Sequence, residues 1–178
     1  MILLVVTAGR DEGVALDRDQ LLHDLYVEHY RSLVRLACLL LDDRGAGEEA
    51  AQDAFVRLHR SWGRLRDPSA APAYLRSTVL NLARSGLRRR LVARRHAPVP
   101  VGDAASAESI VVLREDQQDV LGALRALPPR QRDCLALRYY LDLSEADIAA
   151  TLGISTGSVK THASRGLAAL ATKLEARS

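Results

Sequence analysis

Apolar residues recur at the spacing of amphipathic helices from about residue 20 to residue 91. One helix is predicted from Leu21 to Leu41, a second from Glu48 to Trp62 and a third from Ala73 to Leu91. The turn-rich segment Arg66–Pro72 carries two prolines and separates the second helix from the third. Strand-like alternation is absent from this pattern, so residues 20–91 are predicted to form an all-helical domain.

The helical pattern is lost from residue 92 to residue 115, where prolines, a glycine and small residues predict a flexible linker. It resumes in residues 116–178, and residues 1–19 are expected to be a poorly ordered leader. The fold is therefore expected to be all-α, with two small helical domains joined by the linker. Within the second domain we expect four helices, at roughly 116–126, 129–140, 144–152 and 155–174.

The last two of these helices have the pattern of a helix-turn-helix. Ser144 and Ser155 suit N-caps, and Gly153 suits the turn, where a positive φ is needed. The second helix is expected to bury Val159, Ala163, Leu167, Leu170 and Leu174. Its exposed hydroxyl and basic residues are the candidates for base and phosphate contacts in a DNA groove. They are Ser155, Thr156, Ser158, Lys160, Thr161, Ser164 and Arg165.

A second basic element lies at the end of the third helix. Six arginines and no acidic residue occur between Arg84 and Arg95, and Asn81, Arg84 and Arg88 share one helical face. A one-sided basic helix suits a phosphate backbone and predicts salt-dependent binding. The alternative is a solvated helix end, since arginines there also favour the helix dipole.

Composition adds weaker constraints. The net charge of +3 and the pI of about 9.1 make nucleic acid a plausible partner. Cys38 and Cys134 each lie in an apolar helical pattern and are expected to be core thiols. The opening segment MILLVV is too short to span a membrane. The sequence has no Gly-rich phosphate loop, metal-ligand cluster or Ser/His/Asp set, so we expect no enzyme activity, cofactor or metal.

Together these segments resemble the extracytoplasmic-function sigma factors of the sigma-70 family, in an arginine-rich form like that of actinobacteria. The resemblance rests on four segments in order: AGEEAAQDAFVRLHRSW, PAYLRSTVLNLARSGLRRR, LPPRQRDCLALRYYLDLSEADIAATLGIS and TGSVKTHASRGLAAL. It implies a cytoplasmic subunit of RNA polymerase that confers promoter specificity. The implied partners are core polymerase, through its β′ clamp helices and β flap, and promoter DNA. An anti-sigma factor is a further candidate, and no membrane insertion is implied.

The resemblance also assigns roles to residues. The helix from Ser155 would read the −35 element in the major groove. The third helix would face the −10 element, and a loop at residues 64–73 would capture a flipped base. The −10 candidates are Tyr74, Arg76, Asn81, Arg84 and Arg88, and the polymerase-binding candidates are Glu49, Gln52, Asp53, Phe55 and Arg57.

Two features depart from the family pattern. Ser85 stands where many members carry an acidic residue. Aromatic side chains are few, with one Phe, one Trp and five Tyr. Because aromatic stacking commonly holds single-stranded bases, we expect dependence on well-matched promoters.

The alternative class of protein is an autonomous helix-turn-helix regulator, because the segment GISTGSVKTH suits both such a regulator and a sigma factor. A receiver domain would need alternating strands and helices in the N-terminal block, and the pattern there is helical throughout.

Overall fold

The computed structural model describes residues 8–65, 67–96 and 115–176, with side chains for 18–65, 67–89, 92 and 118–176. Within these ranges the protein is helical and has no strand, which confirms the all-α prediction. The α-helices are α1 (Ala8–Leu41), α2 (Arg44–Ser61), α3 (Ala71–His96), α4 (Glu115–Arg125), α5 (Pro129–Leu135), α6 (Glu145–Leu152) and α7 (Thr156–Glu175).

Helices α1, α2 and α3 pack against one another to form the first domain. The corner between α1 and α2 is tight because Asp43 caps α2, accepting a hydrogen bond from the Ala46 amide at 2.9 Å. Asp67 likewise caps the short 3₁₀ turn Pro68–Ala70 that leads into α3. The core consists of apolar side chains with 1% exposure or less, among them Leu33, Leu36, Leu40, Leu58, Leu75, Val79 and Leu80.

Three helices extend beyond their predicted bounds. α2 begins at Arg44 rather than at Glu48, because Asp43 caps it there. α1 begins at Ala8 rather than at Leu21, so the predicted leader is helical from that residue onward. α3 continues past Leu91 to His96, because the arginines, leucine and alanine there are good helix formers and no proline intervenes before Pro98. The remaining residues of the predicted leader and linker, 1–7 and 97–114, lie outside the described residues.

Helices α4 to α7 form the second domain, and the caps of α6 and α7 are those that the sequence predicts. Ser144 accepts a hydrogen bond from the Asp147 amide at 3.1 Å, and Ser155 accepts one from the Ser158 amide at 3.1 Å. Gly153 ends α6 with a left-handed φ of 63°. The helix-turn-helix is therefore present as α6, a glycine turn and α7.

The helix predicted over residues 129–140 changes type midway. It is α-helical through Leu135 and widens to a π-turn over Ala136–Tyr140, where the Leu141 amide bonds to the Ala136 carbonyl at 3.3 Å. The chain then turns sharply at Asp142, which has a φ of 52°. This turn leaves Tyr139 and Tyr140 exposed by 62% and 44%.

The buried face of α7 was predicted wrongly at Leu167, and Leu170 and Leu174 are only partly buried. Leu167 is 43% exposed, and the buried residue of that turn is Gly166. A Cβ on Gly166 would lie 3.1 Å from Leu135 Cδ1 and 3.3 Å from Gln131 Cβ. The glycine lets α5 and α7 approach closely, so the buried stripe passes through residue 166 and not through its larger neighbour.

The two domains contact each other directly, with α3 lying against α6. Arg125, at the end of α4, also reaches the corner between α1 and α2. The sequence did not predict this packing of one domain on the other.

Candidate nucleic-acid and polymerase interfaces

The N-terminal part of α7 presents a solvent-facing row of hydroxyl and basic side chains. The side chain of Lys160 is 68% exposed. Ser158 is partly buried, and its hydroxyl lies 2.9 Å from the capping hydroxyl of Ser155. The Thr161 hydroxyl donates to the Gly157 carbonyl at 3.0 Å. The other predicted residues of this row are exposed: Thr156, Ser164 and Arg165.

Glu145, in the first turn of α6, contacts two basic side chains beside this row. Its carboxylate accepts from Arg138 Nη1 at 3.0 Å and lies 3.5 Å from Lys160 Nζ. Glu145 and Arg138 were not predicted from the sequence as neighbours of α7. The sequence does place Glu145 in the first turn of α6, where the helix dipole favours an acid, but nothing local indicates that it meets Lys160 and Arg138.

The −10 candidates on α3 divide into two groups. Asn81 and Arg88 are exposed. Arg84 is directed at Asp133 of the second domain, with Nε 2.8 Å from Oδ2, and its Nη2 bonds to the same oxygen. Its Nη1 donates to Asn81 Oδ1 at 3.0 Å.

Two further −10 candidates are partly buried. The Nε of Arg76 donates to Thr151 Oγ1 at 3.1 Å, and burial lowers the pKa of its guanidinium. The hydroxyl of Tyr74 lies 3.0 Å from that of Ser61. Of the five candidates on this helix, two arginines are therefore engaged by the second domain in this arrangement.

Asp133 is a fully buried carboxylate and the centre of a small ionic cluster. Burial raises its pKa, while the hydrogen bonds from Arg84 and the charges of Arg84, Arg132 and Arg130 oppose that rise. Arg132, also buried, has its Nε 3.6 Å from Oδ1. A buried carboxylate of this kind needs its cationic partners to remain ionised.

The polymerase candidates of α2 lie on two different sides of the helix. Glu49, Gln52, Asp53 and Arg57 are exposed on one face, with Arg57 Nη2 3.7 Å from Asp53 Oδ2. Beside this face is an open groove of about 380 Å³, lined in part by Glu49, Asp53, Leu82 and Arg89.

Phe55 faces away from that polar surface. Its ring lies 5.2 Å from the ring of Tyr26, which stacks on Tyr30 at 4.5 Å. A second groove of about 610 Å³ runs along this aromatic cluster between α1 and α2, with Leu22 and Val56 among its walls. Tyr26 and Tyr30, four residues apart, were not singled out from the sequence, although their spacing places them on one helical face.

Other kinds of site are not found in the described ranges. These residues hold no group of three or more His, Cys, Asp or Glu arranged to bind a metal ion. None of the helices described is both long and apolar enough to cross a membrane. Cys38 and Cys134 are both free thiols.

The geometry defines a two-domain helical protein with a helix-turn-helix in its second domain and a basic helix in its first. Family comparison agrees: sigma-70 region 2 matches residues 25–91, and sigma-70 region 4 matches residues 117–170. The chain is 32% identical to the RNA polymerase sigma-E factor of Streptomyces avermitilis, over 82% of this chain and 80% of that one. It is 33% identical to the ECF RNA polymerase sigma factor SigM of Mycobacterium tuberculosis, over 84% and 75%.

The chain therefore belongs to the sigma-70 family, in its extracytoplasmic-function branch, and is an RNA polymerase sigma factor that directs promoter-specific transcription initiation. A solved structure supports the fold: sigma factor RpoE of Bartonella quintana, in complex with the anti-sigma factor NepR, aligns with a TM-score of 0.62. That alignment covers 86% of this chain and 96% of the other, at 22% identity.

Proposed function

We propose that the protein carries core RNA polymerase to promoters with two spaced elements, using one domain for each. Residues 20–91 would bind core polymerase and the −10 element, and residues 116–178 would bind the −35 element. The protein would act in the cytoplasm and supply binding and positioning, with no catalytic step of its own. The segment between the domains would pass through the polymerase toward the RNA exit path.

The observation that carries the −35 assignment is the exposed row on α7. Hydroxyl groups and Lys160 lie at the N-terminal end of the second helix of a helix-turn-helix, the end that meets base edges in such motifs. The buried residues Val159 and Ala163 fix the opposite face to the domain core. This geometry would present Thr156, Ser158 and Lys160 to the major groove, with Arg165 and Ser164 at phosphates.

The −10 assignment rests on α3. Asn81 and Arg88 are exposed on this helix, and Arg84 lies between them in sequence with its Nη1 bonded to Asn81. Arg76 and Tyr74 are one to two turns closer to the loop at residues 64–73. Guanidinium groups in this row would neutralise phosphates and make DNA affinity depend strongly on salt.

The polymerase assignment rests on the exposed face of α2. Glu49, Gln52, Asp53 and Arg57 would contact the β′ clamp helices, and the second domain would contact the β flap. The groove beside Phe55 offers apolar area on the other side of α2. An anti-sigma factor is a further candidate for that apolar area, and the RpoE neighbour is itself bound to one.

Run-off transcription would test the proposal. The purified chain is added to core polymerase on DNA taken from upstream of its own gene, and transcript starts are mapped. We expect co-purification with core enzyme and starts downstream of a two-element promoter. Sequence-specific DNA binding by the free chain at physiological salt, with no affinity for core enzyme, would instead show an autonomous regulator.

A further inference from the structure

Glu145 uses its two carboxylate oxygens for two different cations at the edge of α7. Oε1 accepts a hydrogen bond from Arg138 Nη1 at 3.0 Å, and Oε2 lies 3.5 Å from Lys160 Nζ. The side chain of Glu145 is 31% exposed and that of Arg138 is 38% exposed. A negative charge therefore lies directly beside the lysine that is proposed to meet DNA.

Arg138 anchors this carboxylate from the π-turn. Its guanidinium carbon lies 5.9 Å from the centroid of the Tyr139 ring, a distance at which an aromatic face attracts a cation. Hydrogen bonds between a guanidinium and a carboxylate are charge-assisted and directional, and this one is the shorter of the two contacts of Glu145. The π-turn thus fixes one oxygen of Glu145 and leaves the other next to Lys160.

Lys160 stays open to DNA while it is paired. Its side chain is 68% exposed, and an ammonium group has three N–H donors, of which one carboxylate oxygen takes one. The remaining donors are available to acceptors on a base edge, such as O6 and N7 of guanine. Contact with a matched −35 element is therefore compatible with the ion pair to Glu145.

Contact with the phosphates of unmatched DNA makes a different demand. Non-specific binding is electrostatic, and the flexible stem of a lysine lets its ammonium reach whichever phosphate is nearest. To do so Lys160 has to leave Glu145, whose carboxylate then faces the negatively charged backbone. Both effects oppose binding, and they act more strongly on unmatched DNA than on a matched element.

We propose that Glu145 is a positioning residue for Lys160, which raises promoter selectivity by holding the lysine at a base-contacting position and by opposing its capture by phosphates. This inference rests on the −35 role given to α7 above. Interfaces gain specificity from groups that penalise the wrong partner as well as from groups that favour the right one. An exposed ion pair shifts an equilibrium by at most about fivefold, so the effect is on selectivity more than on overall affinity.

The test uses holoenzyme assembled from the full chain and core polymerase, with two DNA fragments. One is a fragment on which the wild-type holoenzyme initiates, and the other is the same fragment with its −35 segment scrambled. For Glu145→Gln we expect about threefold tighter binding to the scrambled fragment and an unchanged affinity for the intact one, so the ratio of the two affinities falls about threefold. The slope of log affinity against log salt on the scrambled fragment should steepen by about 1, because the released ammonium neutralises one more phosphate.

Asp147→Asn is the matched control. Asp147 is exposed and lies in the same first turn of α6, but its carboxylate accepts from the Ser144 hydroxyl at 2.6 Å. This variant removes the same negative charge and leaves the contact between Glu145 and Lys160 in place, so the affinity ratio and the salt slope should not change. An equal change in both variants would show that the charge of the domain is responsible, and would overturn the proposal.

A double-mutant cycle tests whether Glu145 acts through Lys160. In the Lys160→Ala background, Glu145→Gln should alter neither the affinity ratio nor the salt slope. A full effect of Glu145→Gln without the lysine would overturn the positioning role, and so would an unchanged ratio in the single variant. Thermal unfolding confirms that each variant is folded.

The wild-type protein and Lys160→Ala separate this proposal from the −35 assignment. If the wild-type holoenzyme binds both fragments equally, or if Lys160→Ala keeps the wild-type ratio, the role of α7 at the −35 element fails. If the wild-type ratio depends on Lys160 but Glu145→Gln leaves it unchanged, only the positioning role of Glu145 fails.

Discussion

Lys160 and Glu145 face each other across the helix-turn-helix, with Nζ of the lysine 3.5 Å from Oε2 of the glutamate. The same carboxylate also accepts from Arg138 at 3.0 Å. The pairing holds the lysine ammonium near the first turn of α6 and partly balances its charge. Exposed pairs of this kind contribute about 0–1 kcal/mol to stability, so the contact orients more than it stabilises.

Replacing Lys160 with alanine should weaken use of the −35 element and leave binding to core polymerase intact. Loss of a base-edge contact costs about 1–3 kcal/mol of affinity and relaxes specificity at that base pair, whereas loss of a phosphate contact reduces the salt dependence by about one unit of slope. Affinity for −35 DNA is measured with the holoenzyme at several salt concentrations. Glu145→Gln is the matched control and should leave DNA binding equal or tighter. A fall in core affinity with Lys160→Ala would contradict the placement.

Reversing charge on the exposed face of α2 should weaken binding to core polymerase. For Glu49→Lys/Asp53→Lys we expect a loss of about tenfold or more, close to 1.4 kcal/mol, because two acidic side chains proposed to contact the partner are replaced by the opposite charge. Fluorescence titration against core enzyme measures the affinity. The control is Glu28→Lys, at an exposed position on α1, which should leave the affinity unchanged. Equal affinity of variant and wild type would refute the assignment.

A combined change at Asp53 and Phe55 should also reduce core affinity, with DNA contacts spared. Phe55 is packed against Tyr26 and Tyr30, so its loss also reduces folding stability. The charge reversal is therefore the sharper of the two experiments. The double change becomes informative when thermal unfolding is recorded beside the titration, and unchanged core affinity in a folded double variant would count against the role.

Gly47→Ala should destabilise the first domain. A Cβ at this position would clash with Cys38 Sγ and lie 3.0 Å from the Cys38 amide nitrogen, where backbone of α1 blocks its escape. Overpacking of this kind costs about 1–3 kcal/mol. Gly63→Ala is the control, since nothing lies within 4 Å of its added Cβ. Urea unfolding measures both, and equal midpoints would contradict the tight crossing of α1 and α2.

Cys134 should react slowly with thiol reagents in the folded protein. Burial, aided by the Asp133 charge, raises its pKa to about 11 from 9.0. At about pH 8 only some one in a thousand of its side chains would be thiolate, the reactive form. Release of thionitrobenzoate in the Cys38→Ser background should therefore track unfolding. Fast reaction in the native state would show that the thiol is not buried.

The raised pKa of Cys134 also predicts a dependence of stability on pH. Since the folded protein favours the neutral thiol, stability is full below the unfolded pKa of 9.0 and falls as pH rises toward the folded value of about 11. Cys134→Ala should flatten this alkaline decline. Unfolding midpoints are measured for both proteins between pH 9.0 and about 11. An equally steep fall of stability with pH in the variant would exclude Cys134 as the source of the pH dependence.

Local features of this fold were predictable because their causes are local. Ser144, Ser155 and Gly153 act through caps and a left-handed turn within a few residues of themselves, and each is where the sequence places it. Helix ends were less predictable. α3 runs to His96 because no residue before Pro98 stops it, although the apolar period ends at Leu91.

Features that depend on distant neighbours were missed. Leu167 was predicted on the buried face of α7, but Gly166 is buried there instead, because Leu135 of α5 lies against that position. The pairing of Arg84 with Asp133 joins residues 49 positions apart, across the interdomain segment. From sequence alone Arg84 was one of a row of cations, and nothing local distinguished the one that meets a buried carboxylate.

Asp42 shows what the arrangement of the two domains demands from the chain. It lies at the end of α1 with a φ of 56°, a conformation that costs a non-glycine residue about 1–2 kcal/mol. Glycine would relieve that strain but would lack the carboxylate that receives Arg125. A residue that weakens its own helix end is thus also the one that connects it to the neighbouring domain. Replacement by glycine would stabilise the first domain and weaken its contact with the second. The stability of the domain and the strength of the interdomain contact therefore favour different residues at this position.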